Sequence, residues 1–195
     1  MWAPKCSRCV VLSSWAAVQL WAMLEAHPGV TQYCERPATA VINGRERLVD
    51  FWMKMNGLDR WFVISGDGEA SLDMEFSGAK PPSISSSLLE ILSPQSLVEH
   101  EVWIENWLSI LPYLASNASL VGSELIANVV AQCHEPTSLL SIETSHPHHD
   151  PMLVRSAAFM AVHHGELLGV DLAERRWDMD SQFIKNTFHR DHRAT

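Results

Sequence analysis

The stretch "RPATAVINGRERLVDFWMKMNGLDRWFVIS", residues 36–65, contains two Asn-Gly pairs, Asn43-Gly44 and Asn56-Gly57. Asn-Gly is a strong short-range hairpin signal because both residues tolerate the positive φ angles of tight hairpin turns. The two turns divide the stretch into three predicted strands, at about 38–42, 45–55 and 58–65. We therefore expect a three-stranded antiparallel meander in this part of the chain.

The middle strand carries one acid, Asp50, between Val49 and Phe51. Side chains alternate between the faces of a strand. The apolar face is predicted to hold Val49, Phe51, Met53 and Met55. The more polar face is predicted to hold Glu46, Leu48, Asp50, Trp52 and Lys54. Two interpretations of Asp50 follow, a solvated surface carboxylate or the remnant of an active site.

Apolar spacing and helix-breaking residues predict the elements around this meander. A helix is expected from Ser13 to His27, ended by Pro28-Gly29. Residues 65–87, rich in Gly, Ser and Pro, are expected to form a loop with one strand near 71–76, followed by a short helix at 87–92. Residues 93–114 again have helical spacing, and Pro112 is expected to mark the end of that helix or a kink.

The last third of the chain shows three helical segments followed by two short strands. The helices are predicted at 123–133, 137–145 and 150–163. Around the last of these, Asp150 is a favoured N-cap, Pro151 suits the first helical position and Gly165 suits the position just past the end. The strands and their polar turn are predicted within "GELLGVDLAERRWDMDSQF", residues 165–183. Three helices and a β-hairpin are the order of a winged-helix module.

In a winged-helix module, the third helix would enter a DNA groove. Here Arg155 is the only cation between the cap and His163, and most of the other residues are apolar. Reading base edges and phosphates requires hydrogen-bond donors. We therefore expect this helix to contact a protein core or a partner rather than DNA. Arg175 and Arg176, in the predicted wing, are the candidate DNA-binding residues.

Composition and charge argue against two classes of protein, general nucleic-acid binders and membrane-spanning proteins. The 195-residue chain has a formal net charge of −9, which argues against a general nucleic-acid binder because phosphate contacts need clustered Lys and Arg. Ser13, Ser14 and Gln19 interrupt the apolar stretch near the start. No run reaches the roughly 18 to 20 apolar residues needed to cross a bilayer. We expect a cytoplasmic protein without a membrane partner.

Two clusters contain residue types that bind metals. Cys6 and Cys9 have metal-ligand spacing, but a structural zinc site needs a second pair, and Cys34 and Cys133 are far away in sequence. We favour reduced thiols over a metal site. The histidines of "SHPHHD", residues 145–150, match no defined metal site, and we favour a flexible polar loop there.

Several segments, taken in order, resemble the TnsA family, the endonuclease subunits of heteromeric cut-and-paste transposases. They are "SSWAA" (13–17), "LEAHPGVTQYCERPATAVINGRERLVDFWMKM" (24–55), "VWIENWLSIL" (102–111) and "HHGELLGVDLAERRWDMDSQF" (163–183). The resemblance covers most of the chain. It implies a restriction-endonuclease-like α/β core of the PD-(D/E)XK class over residues 1–95 and a smaller winged-helix-like domain over residues 96–195.

The resemblance also assigns roles residue by residue. The metal-binding Asp of the family's "PDF" falls on Asp50 of "VDF", with Val49 in place of the proline. Asp50 is therefore the candidate catalytic and metal-binding residue, and Mg²⁺ is the cofactor if the site is active. The family's helical Glu falls on Ala17, and its E/Q-x-K pair falls at about Ile64 and Gly66. These three residues can neither bind a metal nor polarise water.

A nuclease of this class needs two or more carboxylates around Mg²⁺ and a Lys near the attacking water. The resemblance therefore implies a degenerate site. In an alternative arrangement, the missing groups come from elsewhere in the N-terminal part of the chain. The candidates are Glu25, Asp67, Glu69, Asp73, Glu75 and Lys80.

The leading hypothesis is a TnsA-like transposition protein that acts with a transposase subunit and a transposition regulator on mobile-element DNA ends. In this hypothesis the inactive nuclease core serves complex assembly, and DNA is contacted mainly through the complex. Two alternatives stay open. The chain is either an active metal-dependent endonuclease that cuts a transposon or phage end, or a non-catalytic adaptor unrelated to transposition.

Overall fold

The computed structural model describes residues 1–42, 44–65, 74–75 and 88–187 and divides the chain into two compact units. The N-terminal unit contains Met1–Glu25 and Gly29–His100, and the C-terminal unit contains Ala26–Pro28 and the chain from Glu101 onward. Helices and sheets are both present, so the protein is of mixed α/β class. Within the described residues, no helix combines the length and the apolar composition needed to cross a membrane.

The first half of the chain forms mostly strands. In chain order they and the helices are β1 (Trp2–Ala3), β2 (Arg8–Cys9), α1 (Trp15–Ala26), β3 (Val30–Glu35), β4 (Thr39–Ile42), β5 (Arg45–Leu48), β6 (Phe51–Met55), β7 (Leu58–Ile64), β8 (Met74–Glu75), β9 (Leu88–Leu92) and α2 (Pro94–Val98). A short 3-10 helix, Pro4–Cys6, connects β1 and β2.

Helix α1 begins after Ser14, whose Oγ accepts the backbone N–H of Ala17 at 3.1 Å. Such a side-chain cap satisfies one of the amides that lack a partner in the first turn. The helix ends just before Pro28-Gly29, so the predicted helix between Ser13 and His27 is confirmed. Its buried apolar residues are Ala17, Leu20, Trp21, Ala22, Leu24 and Ala26.

Two sheets make up most of the N-terminal unit. Strands β3, β6, β7 and β9 form a four-stranded sheet in that order, with β9 parallel to β7 and the other two pairs antiparallel. Strands β5, β4 and β8 form an antiparallel three-stranded sheet. Asn56 and Gly57, with φ angles of 51° and 80°, form the predicted tight turn between β6 and β7. In the other predicted turn, Asn43 lies outside the described residues.

The predicted continuous strand over 45–55 is wrong, because the chain changes sheets in its middle. The backbone N–H of Val49 donates to Ala38 O, whereas the next N–H, that of Asp50, donates to Phe62 O. The single predicted meander is therefore divided between the two sheets. The break also moves Val49 off its predicted face, and it packs with Ala40, Ile42, Trp61, Val63 and the partly buried Trp52.

A second prediction fails at residues 87–92, which were expected to be helical. Leu88–Leu92 forms β9, which pairs in parallel with Arg60–Ile64. A five-residue segment, here four apolar residues around Glu90, is too short for its periodicity to distinguish a helix from a strand. Of the strand predicted near 71–76, the structure describes Met74–Glu75, which pair with Val41 and Ile42. Most of the predicted loop 65–87 lies outside the described residues.

The second half of the chain is mainly helical. Its elements are α3 (Glu101–Asn117), α4 (Ser123–Gln132), β10 (Thr137–Ser138), α5 (Leu139–Thr144), α6 (Pro151–His163), β11 (Leu167–Gly169) and β12 (Gln182–Lys185). The strands form an antiparallel sheet in the order β10-β12-β11. The three predicted helices are confirmed, and β10 is an additional strand. The two predicted strands also form and pair antiparallel, but the second ends at Lys185, two residues past the predicted segment. Pro112 does not end its helix, since α3 continues to Asn117.

Helix α6 lies in the core of the C-terminal unit and packs against α3, α4 and α5. The Asp150 carboxylate caps it by accepting the backbone N–H of Met152 at 2.8 Å, and Gly165 follows it with a φ of 78°. Val154, Phe159 and six further residues of the helix are buried. The expectation that this helix packs in a protein core is confirmed.

Candidate functional site

Asp50 lies where the chain leaves β5 and enters β6. Its backbone N–H donates to Phe62 O and its carbonyl accepts the N–H of Arg36, both at 2.9 Å. The carboxylate atom Oδ2 accepts the backbone N–H of Ile64 at 2.7 Å. Arg47 donates from Nη2 to Ile64 O at 3.2 Å. Two side chains therefore bind the backbone of Ile64 at the end of β7, and Asp50 holds the junction between the sheets.

The surroundings of Asp50 are those of a structural carboxylate. Burial raises the pKa of its carboxyl above the usual value, while the hydrogen bond from Ile64 and the charges of Arg47 and Arg36 act in the opposite direction. The charged groups that influence it are thus two arginines. Mg²⁺ gives up its water reluctantly and needs several anionic or carbonyl oxygens in octahedral geometry. Asp50 and its described neighbours do not fit a Mg²⁺ site.

The other positions implied by the resemblance do not complete such a site. Ala17 is buried in α1, and Ile64 is the last residue of β7. Gly66, Asp67, Glu69, Asp73, Lys80 and the side chain of Glu75 lie outside the described residues. Within the part of the chain that the structure describes, no group of three or more His, Cys, Asp and Glu side chains is arranged to hold a metal ion.

Glu25, one of the candidate replacement ligands, is fully buried in α1 and belongs to a hydrogen-bonded chain. The hydroxyl of Tyr33 donates to Glu25 Oε1 at 2.5 Å, and the indole N–H of Trp21 donates to that hydroxyl at 2.8 Å. The backbone N–H of Lys5 approaches Glu25 Oε2 at 3.3 Å. These contacts connect α1, β3 and the N-terminal 3-10 helix, so Glu25 stabilises the fold.

This buried network changes the acid–base properties of its members. Burial and the adjacent Glu25 carboxylate raise the pKa of the Tyr33 hydroxyl well above its usual range. Burial lowers the pKa of the Lys5 amine to about 8, although Glu25 and Cys6 act in the opposite direction. The Lys5 Nζ also donates to Leu24 O at 2.9 Å. The sequence signal for this network is weak, because an acid in the last turn of a helix is usually solvated.

The four cysteines are free thiols. Cys6 donates from Sγ to Tyr33 O at 3.6 Å, and burial raises its pKa. Burial also raises the pKa of Cys133, to about 11. A nucleophilic cysteine needs a lowered pKa to supply the thiolate, so these two environments favour the unreactive thiol.

In the predicted histidine loop, His146 Nδ1 lies 2.8 Å from Ile142 O, and its ring lies 6.4 Å from that of His149. The ring of His163 packs 5.9 Å from that of Trp107. His146 therefore has a structural contact at the end of α5, and His163 lies against the core.

The predicted DNA-binding arginines contact carboxylates of their own unit. Arg175 binds Asp171 at 2.6 Å and Asp178 at 2.8 Å, and Arg176 binds Glu105 at 2.8 Å. A phosphate would have to compete with these carboxylates for the guanidinium groups. The side chain of Arg176 is 79% exposed, so its pair with Glu105 is the more easily replaced.

Asn106 of α3 is a structural residue that spacing alone did not reveal. It is 2% exposed, and its Nδ2 donates to Leu172 O and Arg175 O, each at 2.8 Å. Its Oδ1 accepts the backbone N–H of Trp177 at 2.9 Å. Asn106 therefore holds the segment between β11 and β12. A polar amide within the apolar stripe of α3 was the available sequence signal.

No protein-family model and no curated protein matches this sequence, and no solved structure matches this fold.

Proposed function

We propose that this protein is a TnsA-like component of a transposition complex, in which a nuclease-type core serves assembly and does not cut DNA. The observation that carries the proposal is the bonding of Asp50, whose carboxylate is hydrogen-bonded to the backbone N–H of Ile64 at 2.7 Å. A carboxylate used in this way stabilises a strand junction without any metal. In a TnsA-like chain that lacks the other catalytic residues, such a bond would give Asp50 a structural role.

The order of elements supports the proposal in both units. In the N-terminal unit, α1 precedes antiparallel β3, β6 and β7, and β9 runs parallel to β7. This arrangement is compatible with a PD-(D/E)XK restriction-endonuclease-like core. In the C-terminal unit, the order α4, β10, α5, α6, β11, β12 with a three-stranded sheet is compatible with a winged-helix module.

The charge distribution supports contact with DNA mainly through partner proteins. Residues 101–187 contain eleven Asp and Glu against four Arg and Lys, a net charge of −7. Three of those four cations are bound to carboxylates of the same unit. We propose that a transposase subunit and a transposition regulator supply most phosphate contacts in the cytoplasm. Arg175 and Arg176 then add weak contacts.

Co-purification tests the assembly role. The tagged full chain is expressed together with any transposase that a neighbouring gene encodes, and the mixture is separated by size-exclusion chromatography. The proposal expects a stable complex from the wild type. If the chain binds no transposase encoded beside it, the transposition proposal is overturned in favour of an adaptor with another role.

Plasmid nicking tests the absence of cutting. The chain is assayed with and without that transposase, in Mg²⁺ and in Mn²⁺, beside Asp50→Asn and Asp50→Ala. Asn keeps an oxygen that can accept the Ile64 N–H but removes the charge that a metal requires, so this variant separates structural from catalytic loss. The proposal expects no nicking attributable to this chain. Metal-dependent nicking by the wild type that is lost in a folded Asp50→Asn would instead establish the active endonuclease.

A further inference from the structure

The C-terminal unit contains an open cleft of about 510 Å³ between α3 and the start of α6. Pro112, Tyr113 and Met152 supply apolar walls, and Asn117, Asp150 and Arg155 supply polar groups. A volume of this size lies within the range of pockets that hold small ligands or the side chains of a partner. The polar groups therefore decide which occupant the cleft can accept.

Arg155 offers little to an anion. Its Nε donates to Glu143 Oε1 at 2.7 Å, and its Nη1 donates to the Tyr113 hydroxyl at 3.3 Å. Its guanidinium carbon lies 5.8 Å and 5.9 Å from the ring centres of Tyr113 and Trp177. Because Glu143 offsets its charge and the neighbouring rings cover it, Arg155 acts as part of the wall.

Asn117 offers an acceptor to the cleft. It is 7% exposed, and its Nδ2 donates to Ser156 Oγ at 2.8 Å. The Ser156 hydroxyl donates its proton to Met152 O at 2.8 Å, so Ser156 Oγ acts as an acceptor toward Asn117. The Asn117 amide therefore directs its Nδ2, and not its Oδ1, at Ser156. Among the described residues, no donor is hydrogen-bonded to Asn117 Oδ1. Asn117, which lines the cleft, therefore keeps a side-chain oxygen that can accept a hydrogen bond from an occupant.

Asp150 adds a negative charge at the same cleft. One of its oxygens caps α6 through Met152 N–H, and the side chain is otherwise exposed to solvent. The partial positive charge of the helix N-terminus, about half a unit, offsets only part of this charge. The surrounding unit reinforces it, because residues 101–187 contain eleven Asp and Glu against four Arg and Lys.

We propose that this cleft binds the cationic side chain, Lys or Arg, of a basic segment in a partner polypeptide. The aliphatic part of that side chain packs on Tyr113, Pro112 and Met152, and its charged end donates to Asp150 and Asn117 Oδ1. A cleft that combines apolar walls with hydrogen-bond acceptors suits such an amphipathic side chain. The inference rests on the C-terminal unit and does not depend on a role in transposition.

The probe is the capped tripeptide acetyl-Ala-Arg-Ala-amide, compared with versions that carry lysine, citrulline or glutamate in the middle. Citrulline has the shape of arginine without its charge. Binding to the full chain is followed by NMR with ¹³C-methyl methionine, through the methyl signal of Met152. We expect saturable shifts with arginine and lysine that weaken as salt is added, and none with citrulline or glutamate.

Two variants test whether the peptide binds in this cleft. Asp150→Asn should weaken binding of the arginine peptide about fivefold, the size of one exposed ion pair, while asparagine still caps α6. Glu124→Gln, an exposed carboxylate on α4 outside the cleft, should leave binding unchanged. The proposal is overturned by equal binding of the citrulline peptide, by preferred binding of the glutamate peptide, by no saturable shift, or by equal effects of the two variants.

Discussion

Asn106 in the C-terminal unit and Glu25 in the N-terminal unit are both buried polar side chains that hold a segment of backbone, but their hydrogen-bond partners differ. In the C-terminal unit, the neutral amide of Asn106 makes hydrogen bonds of 2.8, 2.8 and 2.9 Å, all to backbone atoms of Leu172, Arg175 and Trp177. In the N-terminal unit, the carboxylate of Glu25 binds the Tyr33 hydroxyl at 2.5 Å and the Lys5 backbone at 3.3 Å.

The two side chains differ in charge and in whether their neighbours can also gain or lose a proton. A neutral amide with its donors and acceptor paired to backbone has no protonation state to change, so the Asn106 contacts are independent of pH. A buried carboxylate requires more stabilisation because its desolvation is more costly. Its neighbours Tyr33 and Lys5 titrate themselves, and burial shifts the pKa of each. The C-terminal unit should therefore respond mainly to loss of a contact, and the N-terminal unit also to pH.

The largest effect is expected for Asn106→Leu. The substitution leaves three backbone groups without their partner, and at about 1 kcal/mol each the free energy of unfolding should fall by about 3 kcal/mol. Hydrogen exchange at the Trp177 amide should accelerate with it. Ser109→Ala is the control, because it removes an exposed bond from the Trp177 indole and a partly buried bond to Asn106 O but leaves the Asn106 side chain paired. A loss below about 1 kcal/mol for Asn106→Leu would contradict the structural role assigned here.

The next effect tests the corresponding contact in the N-terminal unit. Tyr33→Phe removes a donor from the buried carboxylate of Glu25 and an acceptor from Trp21, so a loss of about 2 kcal/mol is expected in urea unfolding. Tyr113→Phe is the matched control. It removes a 3.3 Å bond from Arg155, which keeps its 2.7 Å contact with Glu143, and should therefore cost less. Equal losses for the two tyrosines would show that the buried hydroxyl of Tyr33 contributes no more to stability than the partly buried hydroxyl of Tyr113.

A smaller effect concerns pH and Lys5. Its folded-state pKa of about 8 lies below the usual 10.5, so between these values the unfolded chain binds more protons and the lysine contribution to stability rises with pH. From pH 8 to pH 10, the wild type should gain on the order of 1–2 kcal/mol relative to Lys5→Met. Unfolding free energies of both proteins at the two pH values measure this. Parallel pH profiles would show that Lys5 is not buried in the folded state.

The smallest effect is expected at the surface of the C-terminal unit. Glu105→Gln removes the partner of Arg176, whose side chain is 79% exposed, and solvent screens such a pair. The free energy of unfolding should therefore change by no more than about 0.5 kcal/mol, and the melting temperature should shift only slightly. Asp171→Asn, which breaks the less exposed pair with Arg175, is the comparison and should cost more. If Glu105→Gln destabilises the unit strongly, the exposed pair has a structural role after all.

The sequence alone determined the elements whose signals are local. Helices α1, α4 and α6, the Asp150 cap and the Asn56-Gly57 turn depend on residues within a few positions of each other, so spacing and turn chemistry predict them. The same holds for the overall order of helices and strands in the last third of the chain, with the exception of β10, whose two residues are too few to give a periodic signal.

Tertiary structure decided the elements whose hydrogen-bond partners lie far away in the sequence. Val49 pairs with Ala38 and Asp50 with Phe62, so the predicted strand breaks between them. Residues 88–92 are a strand because β7 lies beside them. Likewise, the family resemblance made Asp50 a candidate site residue, and the predicted wing made Arg176 one, but Asp50 binds Ile64, 14 positions away, and Arg176 binds Glu105, 71 positions away. The role of a charged side chain depends on the groups that fold against it, and the pattern of residues along the sequence does not show which distant groups these are.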